Sequence, residues 1–195
     1  MNIAFFDFDG TVTSKDSLLG FIGFAVGKPS YYLGLLLLSP MLTAYVLKLI
    51  PNYQAKQILI SYYFKGWDIH QFEQVAEQYA LKEIPEIIRQ NALEAMLKHQ
   101  SNGDEVVIVS ASMENWLQAW CDKYGLALIA TKLEVEQGKL TGQFASKNCY
   151  GDEKVNRIQQ AYDLERYDCI YAYGDSNGDK AMLKLADKPH MKAFH

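Results

Sequence analysis

The chain has 195 residues, 49% of them hydrophobic and 22% charged, which suits one domain, or one domain carrying an insertion, and excludes a disordered chain. Its formal net charge of −4, with no basic cluster, gives no grounds for a nucleic-acid partner. Three dispersed cysteines (Cys121, Cys149, Cys169) and four histidines (His70, His99, His190, His195) form neither a disulfide framework nor a metal-ligand spacing. The thiols are therefore expected to be reduced in a cytoplasmic protein, and the histidines to be structural or superficial.

The chain opens MNIAFFDFDGTVTSKDS, without the basic and apolar stretches of a signal peptide. Residues 3–6 are an apolar run that predicts a short buried strand, followed at once by Asp7, Asp9, Gly10 and Thr11. Residues 14–100 carry almost no strand signal. Within them, residues 31–50, YYLGLLLLSPMLTAYVLKLI, hold no charge before Lys48, close to the lower limit of roughly 17–25 residues for a membrane span. Pro40, preceded by Ser39, instead divides the run into two helices folded against each other. A buried helical hairpin is the favoured reading, ahead of contact with a membrane surface and well ahead of a span.

Residues 68–100 read as helical, with Phe72, Val75, Ala76 and Tyr79 on one face and Pro85 starting a new helix. Asn102-Gly103-Asp104 ends that helix with a glycine suited to a left-handed cap. The pattern then changes. Residues 106–110 (VVIVS), 126–130 (LALIA) and 169–173 (CIYAY) read as strands, with helices over 113–125 and 152–164. Residues 131–146 alternate about Gln137-Gly138 as a hairpin, and 174–187 begin as a loop and become a helix. Strands alternating with helices imply an α/β fold: a Rossmann-like parallel sheet with helices on both faces. The expected core is 1–13 and 86–195, with 14–85 an inserted α-helical cap after the first strand and a small β-hairpin.

Three of these strands end in polar groups: Asp7 and Asp9; Ser110 and Ser112; Asp175, Asn177 and Asp179. The carboxyl ends of parallel strands form the ligand crevice of an open α/β sheet, so the three sets converge. Gathered acids beside a lysine are costly unless they bind a cation and an anion together. Carboxylate oxygens suit Mg²⁺, here from Asp7 and Asp175, while the Ser110 hydroxyl, a lysine and the backbone at Gly10 suit a phosphate. Asp7 and Asp9, at i and i+2 of extended chain, face one side and can divide the work of nucleophile and proton donor.

FFDFDGT, VIVSAS, a later lysine and YGDSNGD resemble, in order, the four motifs of the haloacid dehalogenase superfamily. The helical block between the first two resembles the cap of its phosphoserine-phosphatase-like branch, subfamily IB. YAYGDSNGDKAML and NCYGDEKV are similar to that branch's uncharacterised hydrolases. The resemblance implies that Asp7 forms an aspartyl phosphate and that Asp9 protonates the leaving group, then activates water. It implies Mg²⁺ held by Asp7, Asp9 (through its backbone carbonyl), Asp175 and Asp179. Phosphate would be bound by Gly10, Ser110, Ala111, Lys154 and Asn177, with Lys147 a rival for the lysine role. Asp16 stands where phosphoserine phosphatases carry a glutamate suited to the substrate ammonium. The three arginines, Arg89, Arg157 and Arg166, lie outside the inserted segment, which weakens phosphoserine as the substrate.

The implied activity is Mg²⁺-dependent hydrolysis of a phosphate monoester. The substrate is a small phosphorylated metabolite such as a phosphoserine-like ester, or a lipid phosphate such as phosphatidylglycerophosphate, which a related branch with a long apolar cap cleaves. A phosphotransferase using the same intermediate, and a non-catalytic phospho-aspartate switch, are the alternatives. The expected location is the cytoplasm, with any membrane association made through residues 31–50. Singly, each motif residue also fits a plainer role: a turn at Asp9-Gly10, or a helix cap at Asp175 and Asp179.

Overall fold

The computed structural model describes all 195 residues. β1 (Ile3–Phe6) is apolar throughout and buried throughout. Seven helices follow before the next strand, the first six being α1 (Ser17–Val26), α2 (Lys28–Leu37), α3 (Ser39–Val46), α4 (Asn52–Phe64), α5 (Ile69–Lys82) and the single turn α6 (Ile84–Ile87). Local chemistry sets their boundaries. The Asp68 carboxylate accepts the His70 and Gln71 amides and so starts α5, and Pro40 and Pro85 sit in the first turns of α3 and α6.

α7 (Gln90–Ser101) leads into β2 (Glu105–Met113) through Gly103, whose φ of +79° is the left-handed turn expected there. α8 (Glu114–Tyr124) ends at Gly125 and is followed by β3 (Ala127–Thr131). β4 (Leu133–Glu136) and β5 (Lys139–Phe144) form the antiparallel hairpin about Gln137 and Gly138, both with positive φ. α9 (Asp152–Ala161), β6 (Ile170–Gly174), α10 (Lys180–Leu185) and β7 (Lys188–Met191) complete the chain.

The main sheet is wholly parallel, in the order β3-β2-β1-β6-β7. β1 is therefore central, and the chain leaving it emerges between the ends of β2 and β6, where the strand order reverses. Alternation along β1 divides the core. Ile3 and Phe5 join Val107, Ile158 and Met182 under α9 and α10, whereas Ala4 and Phe6 join the larger cluster that runs through α7, α8 and the inserted helices. In that cluster Phe21 of α1 stacks on Trp116 of α8 and meets Phe64, Phe72 and Tyr79. Burying each such ring contributes roughly 1.5–3 kcal/mol, enough to fix the inserted helices on the sheet.

Three observations correct or extend the sequence reading. Residues 31–50 do form two helices, but they are not a buried hairpin. α2 and α3 pack by one side only, and Leu33, Leu36, Leu37, Val46, Leu47 and Leu49 remain exposed. Hydropathy measures the cost of exposure and not whether the fold supplies cover, which is why the reading failed there. β7 was not foreseen, because Lys-Pro-His-Met has no apolar run; it is an edge strand, where proline is tolerated. The hairpin also reaches across to the inserted helices. Gly66 donates to the Leu140 carbonyl at 2.8 Å, Leu140 donates to Trp67 at 2.9 Å, and Gly142 lies where a Cβ would come 2.7 Å from Ser61.

Candidate active site

Asp7 continues β1, its amide donating to the Tyr173 carbonyl at 2.9 Å, so its side chain is fixed by the sheet itself. Lys154 rises from the first turn of α9 and is 1% exposed. Its ammonium has three acceptors: Asp7 Oδ1 at 2.6 Å, the Val109 carbonyl at 2.7 Å and Asp179 Oδ1 at 2.8 Å. The other Asp7 oxygen accepts the Thr11 hydroxyl at 2.9 Å. Burial lifts the Asp7 carboxyl from 3.8 to about 7, against the pull of Lys154, with Asp179 and Asp9 adding to the rise. Burial pulls the Lys154 ammonium down, but Asp7 and Asp179 outweigh it and hold it well above the ordinary lysine value. Asp179 is also buried, yet Lys154 and the Ser176 groups bonded to it keep its carboxyl below the ordinary range.

Asp9 lies two residues on but has different neighbours. One oxygen accepts the Ser17 amide at 2.7 Å and the other accepts the Ser112 hydroxyl. Trp116 Nε1 donates to the Ser17 hydroxyl at 3.2 Å, and that hydroxyl donates to Ser112 at 3.1 Å. The Asp9 carboxyl is thus positioned by α1, β2 and α8 together. Burial raises its pKa, Asp16 adds to the rise, and Lys56 together with the two hydrogen bonds opposes it.

Gly10 makes this loop fit. Its φ is +88°, and a Cβ there would stand 2.6 Å from Asp175 Oδ2, so both the turn and the approach of the third carboxylate need glycine. Asp175 follows β6, and Thr11 bridges toward it at 3.4 Å. Asp7, Asp175 and Asp179 each offer a carboxylate oxygen within 4.8 Å of the others. Lys154 pairs with two of the three, and no ion pair reaches Asp175. Three hard oxygen donors, one without a cationic partner, fit a divalent cation such as Mg²⁺. Both Asp9 carboxylate oxygens are instead taken up by Ser17 and Ser112, and Asp9 is not part of this cluster.

The remaining expected residues divide. Ser110 is buried within β2, three residues before its end, and its hydroxyl accepts the Ser112 amide at 3.0 Å. The register with β3 shifts between Ser110 and Met113, a bulge of the kind that re-aims side chains beside a site. Ala111 lines the cavity and presents its carbonyl to Lys56 at 3.3 Å. Asp16 caps α1 through the Leu19 amide and lines the cavity as well. Asn177 is exposed and outside the cavity wall, where Ser176 stands instead. Lys147 is exposed and lines a neighbouring groove. Arg89, Arg157 and Arg166 are bonded elsewhere and none lines the cavity.

The carboxylate cavity holds about 240 Å³ and takes Tyr45, Asn52 and Lys56 from α3 and α4. Asn52 and Tyr150 also wall an adjoining groove of about 610 Å³. Sequence reasoning assigned no role to Thr11, Ser17, Tyr45, Asn52, Trp116 or Tyr150, and it noted Lys56 only as one of the cap lysines. Thr11 adjoins the DFDG run and Ser112 shares the face of Ser110, so both carried a signal. The residues of α3 and α4 carried none.

Three likenesses bear on this arrangement. The chain is 32% identical over 191 residues to Protein CicA of Caulobacter vibrioides, covering 97% of this chain and 85% of that one. Its fold is similar to a protein of unknown function from Bordetella pertussis Tohama I, with TM-score 0.83, 20% identity, and coverage of 95% and 86%. It is also similar to a substrate-bound phosphoserine phosphatase, with TM-score 0.69, 19% identity, and coverage of 99% and 88%. The family model of the haloacid dehalogenase-like hydrolases matches residues 4–184, from the first strand to the last helix, and the chain belongs to that family.

Proposed function

We propose that this hydrolase cleaves a phosphate monoester by way of a phosphoryl group carried on Asp7. The observation that carries the reading is the split between two neighbouring carboxyls. Asp7 is bonded to the Lys154 ammonium, while Asp9 is bonded only by the neutral Ser17 amide and Ser112 hydroxyl, and burial raises the pKa of both. A carboxylate beside a cation suits the nucleophile, and a carboxyl with no cation bonded to it suits the general acid. Asp7 attacks phosphorus, the ester bond to the alcohol breaks, and the departing oxygen takes the proton of Asp9. Asp9, now ionised, takes a proton from water. That water attacks the phosphoryl group, releasing phosphate and restoring Asp7.

Lys154 balances the charge of the phosphoryl oxygens and of Asp7, and Ser110, the Ala111 backbone and the loop at Gly10 complete the phosphate pocket. Asn177 shapes the loop that carries Asp175 and Asp179. Asp7, Asp175, Asp179 and the Asp9 carbonyl would hold Mg²⁺. When bound, the ion supplies charge neutralisation and orientation for the phosphoryl group.

Residues 14–85 act as a cap over the core of 1–13 and 86–195, and Tyr45, Asn52 and Lys56 exclude water from the closed site. Asp16 at the cavity wall contacts the substrate. The leaving group extends into the groove shared through Asn52 and Tyr150. That space accepts a small phosphorylated metabolite, or the headgroup of a lipid phosphate whose chains stay outside. The protein works in the cytoplasm.

Phosphate release from a panel of phosphoserine, sugar phosphates, nucleotides and dispersed phosphatidylglycerophosphate tests the reading. Turnover is expected with Mg²⁺ and not with a chelator, and Asp7→Asn is expected to abolish it. Full activity in Asp7→Asn would overturn it.

A further inference from the structure

α2 is apolar on two sides. Its inner side packs closely: Gly34 faces Tyr63, whose hydroxyl donates to the Tyr31 carbonyl at 2.7 Å. The opposite side carries Leu33, Leu36 and Leu37 at i, i+3 and i+4, 56%, 69% and 59% exposed. The chain leaving α3 adds Val46, Leu47 and Leu49, all more than 60% exposed. Such a helix is normally covered on both sides.

Charge indicates what covers it. From residue 17 to residue 67 there is no aspartate or glutamate, while Lys28, Lys48, Lys56 and Lys65 all fall there, in a chain of net charge −4. Lys28, Lys48 and Lys65 are exposed, as are Tyr32, Tyr45, Tyr53 and Tyr62. Asp16, Glu83 and Glu86 share a groove with Lys28 at one end of this segment, but the segment itself flanks its leucines with lysines and tyrosines and no acid, which suits the boundary between anionic headgroups and acyl chains. A second copy of this face would bring like charges together. No helix is long and apolar enough to cross a membrane, so the contact is one of lying on the surface.

We propose that the α2–α3 face docks on a bilayer surface containing anionic phospholipid. Leu33, Leu36 and Leu37 enter the acyl boundary, and Lys28 and Lys48 meet the headgroups. Tyr45 belongs both to this region and to the carboxylate cavity, so docking places the mouth of the site beside the headgroup layer. The docking does not depend on the chemistry proposed for Asp7.

Vesicle co-sedimentation of the full chain tests this. The protein is expected to pellet with phosphatidylcholine vesicles containing roughly one third phosphatidylglycerol, and to stay in the supernatant with phosphatidylcholine alone or at high ionic strength. L36E/L37E and, separately, K28E/K48E should each weaken binding by about tenfold or more, with the far-ultraviolet melt unchanged as the check on folding. Asp7→Asn should bind as wild type does, which separates a failure here from a failure of the phosphatase reading. Absence of binding to the phosphatidylglycerol-containing vesicles, wild-type binding by either variant, or a solution dimer that L36E/L37E dissociates would overturn the proposal.

Discussion

At the carboxyl end of β1, Asp7, Lys154 and Asp179 lie buried against one another; on α2, leucines stand in solvent with nothing over them. Both regions break the usual partition of polar outside and apolar inside, and they break it in opposite senses. The buried charges are compensated within the chain: each has a partner of opposite sign at hydrogen-bond distance. The exposed leucines are compensated by nothing the chain contains. One region is complete apart from a small ligand, and the other calls for a larger partner. Departure from that partition is therefore a guide to function in both regions.

The largest effect expected is on catalysis. Asp7→Asn should lower phosphate release by about 10⁴-fold or more, because a nucleophile has no substitute in the pocket. Next comes the buried charge balance. Lys154→Met leaves Asp7 and Asp179 facing each other without a cation, and a denaturant titration of the metal-free protein should register a loss of about 3–5 kcal/mol. Phe21→Ala, deep under the inserted helices, should cost a similar amount, about 3–5 kcal/mol, through the cavity it leaves.

A smaller effect has a sign that distinguishes function from stability. The Asp7 carboxyl rises from 3.8 to about 7 on folding, so between those values the folded state holds a proton that the unfolded state has lost. Its contribution to stability therefore falls as pH climbs through that window. Metal-free Asp7→Asn should unfold like wild type near the lower limit and be more stable by roughly 1–3 kcal/mol above the upper one. Thermal melts across the window check this. An inactive variant that is also more stable would mark Asp7 as placed for chemistry at the expense of the fold. Leu36→Ala closes the series. It should shift stability by less than about 0.5 kcal/mol, a tenth of the Phe21 effect, because most of that side chain is already in solvent.

How much of this was legible in the sequence follows the same division. β1, β2, β3 and β6 were visible as apolar runs, and the polar residues at their ends were visible as a site because parallel strands must deliver their carboxyl ends to one place. Asp7, Asp9, Ser110, Asp175 and Asp179 lie on or directly after those strands, so local pattern located them, whereas Lys154 was preferred to Lys147 only through the likeness to the haloacid dehalogenase motifs. Lys56, Tyr45, Asn52 and Tyr150 reach the cavity only through the packing of α3, α4 and the loop after the hairpin, and no local pattern encodes that. The contact of Gly142 with Ser61 was likewise invisible, since it joins two elements far apart in sequence. The exposure of α2 escaped for a different reason. A leucine stripe reads the same whether the fold or a partner covers it.

The most direct measurement is chemical trapping of the intermediate. An Asp9→Asn variant, mixed with Mg²⁺ and a substrate the wild type turns over, would be quenched in acid, digested and examined by mass spectrometry. The account predicts a hydroxylamine-sensitive phosphoryl group on the peptide containing Asp7, absent when Asp7→Asn is added. Phosphate release by wild type with no label on that peptide, or a label that survives Asp7→Asn, would contradict it.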